Sequence, residues 1–218
     1  IDCSGMHRRL GVHISKVRSL TLDKWESDVS AFMLGTGNAL VNGVLEAALP
    51  ADTKPHGAEA STAQRERFVQ AKYGELRFLA PLAASDSADA LRRLCAAAAE
   101  GDLATMLHLL LHRAVAPHAT TPPESAQRGA SALHVAAGAH QPLALQMLLL
   151  HQADASVRAA GADGETPLHV AARLGDVACA ALLFRANADI EARTLRSGRT
   201  PLELAVDAQN ADCVTFLR

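Results

Sequence analysis

A repeated segment in the second half of the chain constrains the fold more than any other feature. "SALHVAAGAH" begins at Ser131, "TPLHVAARLGD" at Thr166 and "TPLELAVDAQN" at Thr200, so successive copies lie 35 and 34 residues apart. A period of this length is typical of solenoids, in which each copy buries its apolar face against its neighbours. Threonine as N-cap, followed by proline where no backbone donor is lost, predicts that Pro167 and Pro201 each begin a helix.

The letters T-P-L-H-x-A in these copies resemble the ankyrin repeat. A degenerate copy, "LRRLCAAAAEGDLATMLHLLLHRA", aligns with the copy that begins at Thr166 when Gly101 matches Gly175, and it lacks the TPLH start, as a capping repeat can. His134 and His169 hold the H of the motif, and we expect hydrogen bonds between repeats from them rather than metal binding. The predicted repeats are 88–120 (degenerate), 128–160, 163–195 and 197–218, three to four in all, with an enlarged loop over 117–128.

Composition excludes several classes of protein. Hydrophobic residues make up 49% of the chain and aromatic residues 3%, and this richness in small and straight-chain apolar residues favours helices over β-sandwiches. The net charge of -2 provides no global field that would attract nucleic acid. No apolar run reaches about 18 residues, so no transmembrane helix is predicted. Cysteines without regular spacing favour a reducing compartment, and they are Cys3, Cys95, Cys179 and Cys213.

The first half has no repeat and predicts a different set of elements. Residues 17–20 are predicted as a short strand, followed by two helices. Asp23 is expected to cap the first helix, and Gly35 and Gly37 to separate it from the second. The segment "TAQRERFVQAKYGELRFL" is predicted to be an amphipathic helix, with an apolar stripe through Phe68, Ala71 or Lys72, and Leu76.

The opening stretch "CSGMHRRLGVHISKVRSL" is the densest in chemically active side chains, and its residues alone leave three interpretations open. Cys3, His7 and His13 could belong to a zinc site, although a structural zinc needs four ligands. A basic patch for an anion is the second interpretation, and a solvated cationic face of a small domain is the third. The basic residues concerned are Arg8, Arg9, Lys16, Arg18 and Lys24.

This stretch, together with "GN" at Gly37–Asn38 and "AKY" at 71–73, resembles the Arf GTPase-activating (ArfGAP) domain. The family carries C-x2-C-x16-C-x2-C-x4-R followed by a stretch similar to G-V-H-I-S-x-V-R-S-L, and Cys3 to Arg8 is an intact C-x4-R. The resemblance covers residues 1–80, with a linker over 81–87 and ankyrin repeats over 88–218. It implies a mainly α fold: an ArfGAP zinc-finger domain with a short β element, followed by an α-solenoid.

The resemblance also implies roles for individual residues. Arg8 matches the arginine finger, the catalytic residue that stabilises charge on the γ-phosphate of a bound GTPase. Ile1, Leu22 and Asp23 match positions that engage the GTPase. Cys3 matches the fourth zinc ligand, and the other three would precede Ile1. We therefore expect a chain truncated within its zinc finger, lacking the zinc of the intact domain and weakly active or inactive by itself.

The functional expectation follows from the resemblance. It implies a GTPase activator, not itself an enzyme, that acts on the GTP form of an Arf-family protein in vesicle trafficking. The repeats would be a protein-interaction or structural scaffold for an unknown partner. Neither nucleic acid nor direct membrane binding is expected; the location would be cytoplasmic, at the periphery of endosomal, Golgi or plasma membranes through other regions. The alternative is an ankyrin-repeat binding module with a non-catalytic ArfGAP remnant.

Overall fold

A computed structural model describes residues 2–55, 60–83, 89–122, 129–160 and 163–218, without the side chains of Asp2 and Cys3. The chain divides into two compact units, Ile1–Pro81 and Leu82–Arg218. Within the described residues the regular elements are helices, and β structure is limited to one isolated antiparallel bridge between Thr120 and Ser131. The prediction of a mainly α fold is confirmed.

The first unit contains α1 (Asp2–Arg9), α2 (Ser27–Leu45) and α3 (Thr62–Val69), and α3 continues into a π-helical turn (Gln70–Gly74). α1 packs against α3. The rings of Phe68 and Phe78 stack with their centroids 5.6 Å apart. The buried apolar residues of this unit come from α1, the end of α2 and the segment after α3, and they are Met6, Val44, Leu45, Ala71 and Phe78.

Two predictions for the segment that precedes α2 are wrong. Residues 17–20 do not form a strand, because no β-bridge pairs them with another described segment. Asp23 does not cap a helix: its Oδ2 accepts from the backbone N–H of Ser19 at 2.5 Å and closes a turn within the loop. The helix begins four residues later, at Ser27, with Glu26 as its N-cap residue.

The predicted break between two helices is a kink inside α2. Gly37 has φ 48° and ψ 167°, while the hydrogen-bonded helix runs on either side of it. This backbone conformation is essentially restricted to glycine. α3 begins at a capping box, in which Ser61 and Gln64 satisfy each other's backbone donors. The predicted stripe through Leu76 ends early, because the helical path stops at Gly74 and Leu76 has φ 52°.

The second unit contains four helix pairs. The first helices of the pairs stack on one another, as do the second helices, so each pair contacts mainly its neighbours. The pairs are α4 (Ala90–Glu100) with α5 (Leu103–Leu111), α6 (Ala132–Gly138) with α7 (Pro142–Leu150), α8 (Pro167–Leu174) with α9 (Val177–Arg185), and α10 (Pro201–Asp207) with α11 (Ala211–Leu217). Part of the predicted enlarged loop, 123–128, lies outside the described residues.

The repeat motif acts through its hydrogen bonds. Thr166 and Thr200 are N-cap residues with proline after them, as predicted. His169 accepts at Nδ1 from the backbone N–H of Thr166 (3.1 Å) and donates from Nε2 to the carbonyl oxygen of Arg199 in the next repeat (3.0 Å). His134 makes the equivalent bond to the carbonyl oxygen of Glu165 (2.9 Å). The predicted bonds between repeats are confirmed.

The degenerate first repeat has the same local structure as the third. Gly101 and Gly175 both end a helix in the left-handed conformation, with φ 71° and 75°. Asp102 and Asp176, which follow them, both accept a backbone hydrogen bond that caps the next helix. The alignment of Gly101 with Gly175 therefore identified equivalent turns.

The cysteines of the second unit are part of its core. Cys95, Cys179 and Cys213 are buried free thiols. Burial raises the pKa of Cys95 to about 11, and burial together with the charge of Asp176 also raises the pKa of Cys179. These thiols stay protonated at neutral pH and serve as small apolar side chains.

Candidate functional site

Arg8 lies in the last turn of α1, with its side chain exposed. Met6, two residues earlier, faces the interior and is only 6% exposed. Residues two apart on a helix point roughly 200° away from each other, so burying Met6 turns Arg8 towards solvent. Within the described part of the chain, the side chain of Arg8 makes neither a hydrogen bond nor an ion pair.

The two neighbours of Arg8 hold α1 in place. Arg9 is exposed at the surface and forms an ion pair with Glu66 of α3. His7 shares a hydrogen bond between its Nδ1 and the Ser15 hydroxyl (2.9 Å), and its ring meets the edge of Tyr73 with centroids 4.8 Å apart. Burial and the charge of Lys72 lower the pKa of His7, so its imidazole is neutral at pH 7.

The loop between α1 and α2 carries two of the predicted GTPase-contacting residues. Leu22 is 88% exposed, and Asp23 beside it closes the turn with Ser19. Trp25 is half-buried and donates from its indole N–H to the carbonyl oxygen of Ser19 (3.0 Å). The loop exposes several other large apolar side chains, namely Val12, Ile14 and Leu20. Ile1, the third predicted contact residue, lies outside the described residues.

The predicted basic patch is reduced by local pairing. Lys24 forms an ion pair with Glu26 (2.7 Å). The Arg18 guanidinium lies over the Trp25 ring, 5.8 Å from its centroid, and donates to the carbonyl oxygen of Lys24. Of the five basic residues assigned to this patch, Arg8 and Lys16 are the two whose side chains have no polar partner among the described residues.

The described residues do not supply a zinc site. Cys3 lies in α1, but its side chain is outside the described set. Elsewhere in the described chain, no three His, Cys, Asp or Glu side chains are grouped so that they could hold a metal ion. His108 on α5 and His112, the residue that follows this helix, approach to 3.2 Å between their Nε2 atoms, without a third metal ligand among the described residues. A four-ligand zinc site does not fit these residues, and no step below depends on metal.

A buried charged cluster beneath α1 was not predicted from the sequence. Lys72 is 3% exposed, and its ammonium donates to Glu46 Oε1 (2.6 Å) and to Asn42 Oδ1 (2.5 Å). Lys54 binds the other carboxylate oxygen of Glu46 at 2.8 Å. Although burial favours the neutral carboxyl, hydrogen bonds from both lysines hold the pKa of Glu46 below its ordinary value. The one available signal was a lysine in the apolar stripe of the predicted helix.

Two protein families match the chain. The family described as "Putative GTPase activating protein for Arf" matches residues 1–81. The family described as "Ankyrin repeats (3 copies)" matches residues 94–194 and, in an overlapping match, residues 145–218. The two matches occur in the order expected from the sequence motifs.

Curated relatives resemble the first unit. "Arf-GAP with coiled-coil, ANK repeat and PH domain-containing protein 3" from Homo sapiens is 43% identical over 94 residues, covering 43% of this chain and 11% of the relative. "ADP-ribosylation factor GTPase-activating protein AGD12" from Arabidopsis thaliana is 44% identical over 82 residues, covering 37% of this chain and 24% of the relative. The match therefore spans a quarter or less of the length of these relatives.

Proposed function

Because this chain belongs to the Arf GTPase-activating proteins that carry ankyrin repeats, we propose that it accelerates GTP hydrolysis on an Arf-family GTPase by donating Arg8 to the nucleotide. The relatives are named for activity on Arf or ADP-ribosylation factor, which supports the choice of partner. The GTPase supplies the bound nucleotide and the attacking water. This chain supplies one cation and the surface that positions it.

The chemistry requires an arginine at this position. In the transition state of GTP hydrolysis, negative charge spreads over the oxygens of the transferred phosphoryl group. A guanidinium is permanently charged and presents a planar fork of N–H donors to these oxygens, whereas a lysine ammonium is a point charge. A finger supplied in trans can accelerate hydrolysis by about 10³–10⁵-fold.

The single observation that carries the proposal is the contrast between Arg8 and its neighbours. Met6 is buried, Arg9 is paired with Glu66, and His7 is fixed against Tyr73. Arg8 extends from this anchored helix into solvent with no partner in the described part of the chain. An exposed guanidinium on an anchored backbone can enter another protein's nucleotide site at little conformational cost.

The test is single-turnover hydrolysis of GTP bound to an Arf-family GTPase, with the full-length protein. We expect Arg8→Lys to lose about 10³-fold or more in rate, because lysine keeps the charge and loses the fork. Arg9→Lys is the matched control: a lysine there can keep the ion pair with Glu66, so we expect a rate close to wild type. Full activity of Arg8→Lys would contradict the proposal.

We propose that Leu22 and Asp23 contact the GTPase, together with Ile1. Leu22 is an exposed apolar side chain on a loop that follows α1 directly, and such a side chain gains free energy when a partner covers it. Replacing it should weaken binding of the GTPase, whereas replacing Arg8 should slow hydrolysis in the bound complex.

The ankyrin repeats are proposed as a protein-interaction or structural scaffold. They account for residues 94–218 of the chain, more than the first unit does. If neither the wild-type protein nor Arg8→Lys stimulates hydrolysis, the alternative function, a binding module with a non-catalytic first unit, would replace the first proposal.

Over the residues that the structure describes, no helix combines the length and apolar character needed to cross a membrane.

A further inference from the structure

The position of α1, which carries Arg8, depends on contacts with residues far away in the sequence. α1 is an eight-residue helix, too short to be stable by itself. Its described anchors are Met6, the ion pair of Arg9 with Glu66, and the contacts of His7 with Ser15 and Tyr73.

Lys72 lies directly beneath one of these anchors. Its ammonium lies 4.8 Å from the centroid of the Tyr73 ring, and the centroid of the His7 ring also lies 4.8 Å from that of Tyr73. The ammonium is itself held by Glu46 and Asn42 near the end of α2. A continuous series of contacts therefore runs from α2 through Lys72, Tyr73 and His7 to the residue next to Arg8.

The space around this series is not closely packed. A cavity of about 320 Å³ is lined by Met6, His7, Asn42, Glu46, Lys72 and Tyr73, among others. Protein interiors normally fix side chains by close packing, and a cavity removes that constraint on its walls. Beneath α1 the side chains are therefore fixed in part by the directional contacts of Lys72 with Glu46, Asn42 and Tyr73.

We propose that Lys72 is a positioning residue for the GTPase-activating reaction, which sets the orientation of α1, and so of Arg8, through Tyr73 and His7. The inference rests on the proposed function. Lys72 touches neither nucleotide nor GTPase in this scheme. Its effect is on how often the guanidinium of Arg8 reaches the transferred phosphoryl group, a step in which a displacement of about 1 Å can cost roughly 100-fold in rate.

Lys72→Met is a usable variant because of Lys54. Removing one partner of a buried ion pair usually leaves an uncompensated charge. Here Glu46 keeps Lys54 on its second oxygen at 2.8 Å, so the carboxylate stays paired. Methionine also retains most of the length of the lysine side chain. The matched control is Lys54→Met, which removes a cation from the same carboxylate and leaves the contact of Lys72 with Tyr73 intact.

The experiment measures single-turnover hydrolysis with the full-length protein against increasing concentrations of an Arf-family GTPase loaded with GTP. We expect Lys72→Met to lower kcat by about 10–100-fold with little change in KM, because the surface that binds the GTPase is retained. Lys54→Met should resemble wild type. When Lys72→Met is added to Arg8→Lys, kcat should fall by less than about a further twofold. Lys72 acts through the guanidinium of Arg8, which Arg8→Lys has already removed.

Each outcome has one meaning. If Arg8→Lys is fully active, the proposed function fails. If Arg8→Lys is impaired while Lys72→Met equals wild type, or if the two effects multiply, the positioning role fails and the proposed function stands. If the fluorescence of Trp25 shows that the first unit of Lys72→Met is unfolded, Tyr73→Leu replaces it in the same cycle, because it breaks the series and keeps the pair of Lys72 with Glu46.

A second measurement is independent of GTP hydrolysis. Burial and, as the second cause, the charge of Lys72 lower the pKa of His7. The pKa of this imidazole therefore reports whether His7 and Lys72 are coupled. Histidine NMR titration should show a higher pKa for His7 in Lys72→Met than in wild type or Lys54→Met. An unchanged value in a folded Lys72→Met protein would overturn the proposed series of contacts.

Discussion

Arg8 and Arg9 have the same charge at adjacent positions, yet their surroundings differ. Both side chains are exposed, but successive residues of a helix point about 100° apart, so the two can have different neighbours. Arg9 is paired with Glu66, and Arg8 has no partner within the described residues. The contacts of the folded chain thus distinguish a residue that anchors the helix from one that is available to another protein.

His169 should be among the most sensitive single residues of the second unit. It is fully buried and joins two repeats through Thr166 and the carbonyl oxygen of Arg199. We expect His169→Ala to lower the free energy of unfolding by about 1–3 kcal/mol, because buried polar groups lose their partners. Urea denaturation followed by circular dichroism measures the change. His118→Ala, at an exposed histidine, is the control, and equal losses in the two variants would contradict the role of His169.

The stability of the second unit should also depend on pH. Burial lowers the pKa of His134 and His169 in the fold, whereas in the unfolded chain they titrate near about 6.5. Below that value the unfolded state binds more protons, so the stability present at neutral pH is lost as the pH falls. Each histidine contributes up to about 1.4 kcal/mol per pH unit. Denaturation curves between pH 7.5 and 5 should show the loss, with a shallower slope in His169→Ala; identical slopes would contradict it.

At the scale of elements, α2 contains two glycines, Gly37 and Gly43, that differ in backbone conformation. Gly37 adopts φ 48° and ψ 167° at the kink, whereas Gly43 lies within the regular part of the helix. A Cβ atom added at either position would meet nothing within 4 Å. The difference between them is therefore one of backbone conformation alone.

This pair gives a controlled test of the kink. We expect Gly37→Ala to destabilise the first unit by about 1–3 kcal/mol, because alanine is strained in that conformation. Gly43→Ala should stabilise the unit by up to about 1 kcal/mol, since alanine is the better helix former. Urea denaturation followed by the fluorescence of Trp25 measures both changes. If both variants shift stability in the same direction, α2 does not have the kink described here.

At the scale of the whole molecule, the chain contains two kinds of core. The repeats bury leucine and alanine between stacked helices, with Leu133, Leu145, Leu168 and Leu183 fully inaccessible. The first unit buries few apolar residues and adds the polar cluster around Lys72. Regular apolar stacking stabilises the repeats, while the first unit depends on individual polar contacts.

The two units offer separate spectroscopic signals. Trp25, the one tryptophan in the sequence, belongs to the first unit, and most helical residues belong to the second. We expect His169→Ala to move the unfolding transition seen by circular dichroism to lower urea and to leave the fluorescence transition unchanged. Equal shifts of both transitions would show that the chain unfolds as one cooperative unit.

Local rules determined much of this protein from sequence alone. The repeat period, the N-cap threonines, the prolines after them and the glycine turns act within a few residues, so reading them in order predicts the helix pairs. Arg8 was singled out by a different route, the resemblance of its C-x4-R spacing to the ArfGAP family. The predictions failed at residues 17–20 and at Asp23, where the chain satisfies its polar groups by turns rather than by a strand or a helix cap.

The tertiary structure alone decided how Arg8 is supported. Arg9 and Glu66 are 57 residues apart, Lys72 and Glu46 26 apart, and His7 and Tyr73 come from different ends of the first unit. No local pattern specifies such pairs, because they form only at the distances that arise when α1, α2 and α3 pack. The sequence motif proposed Arg8 as the residue that acts on a GTPase, and the packing determined what holds its helix in place.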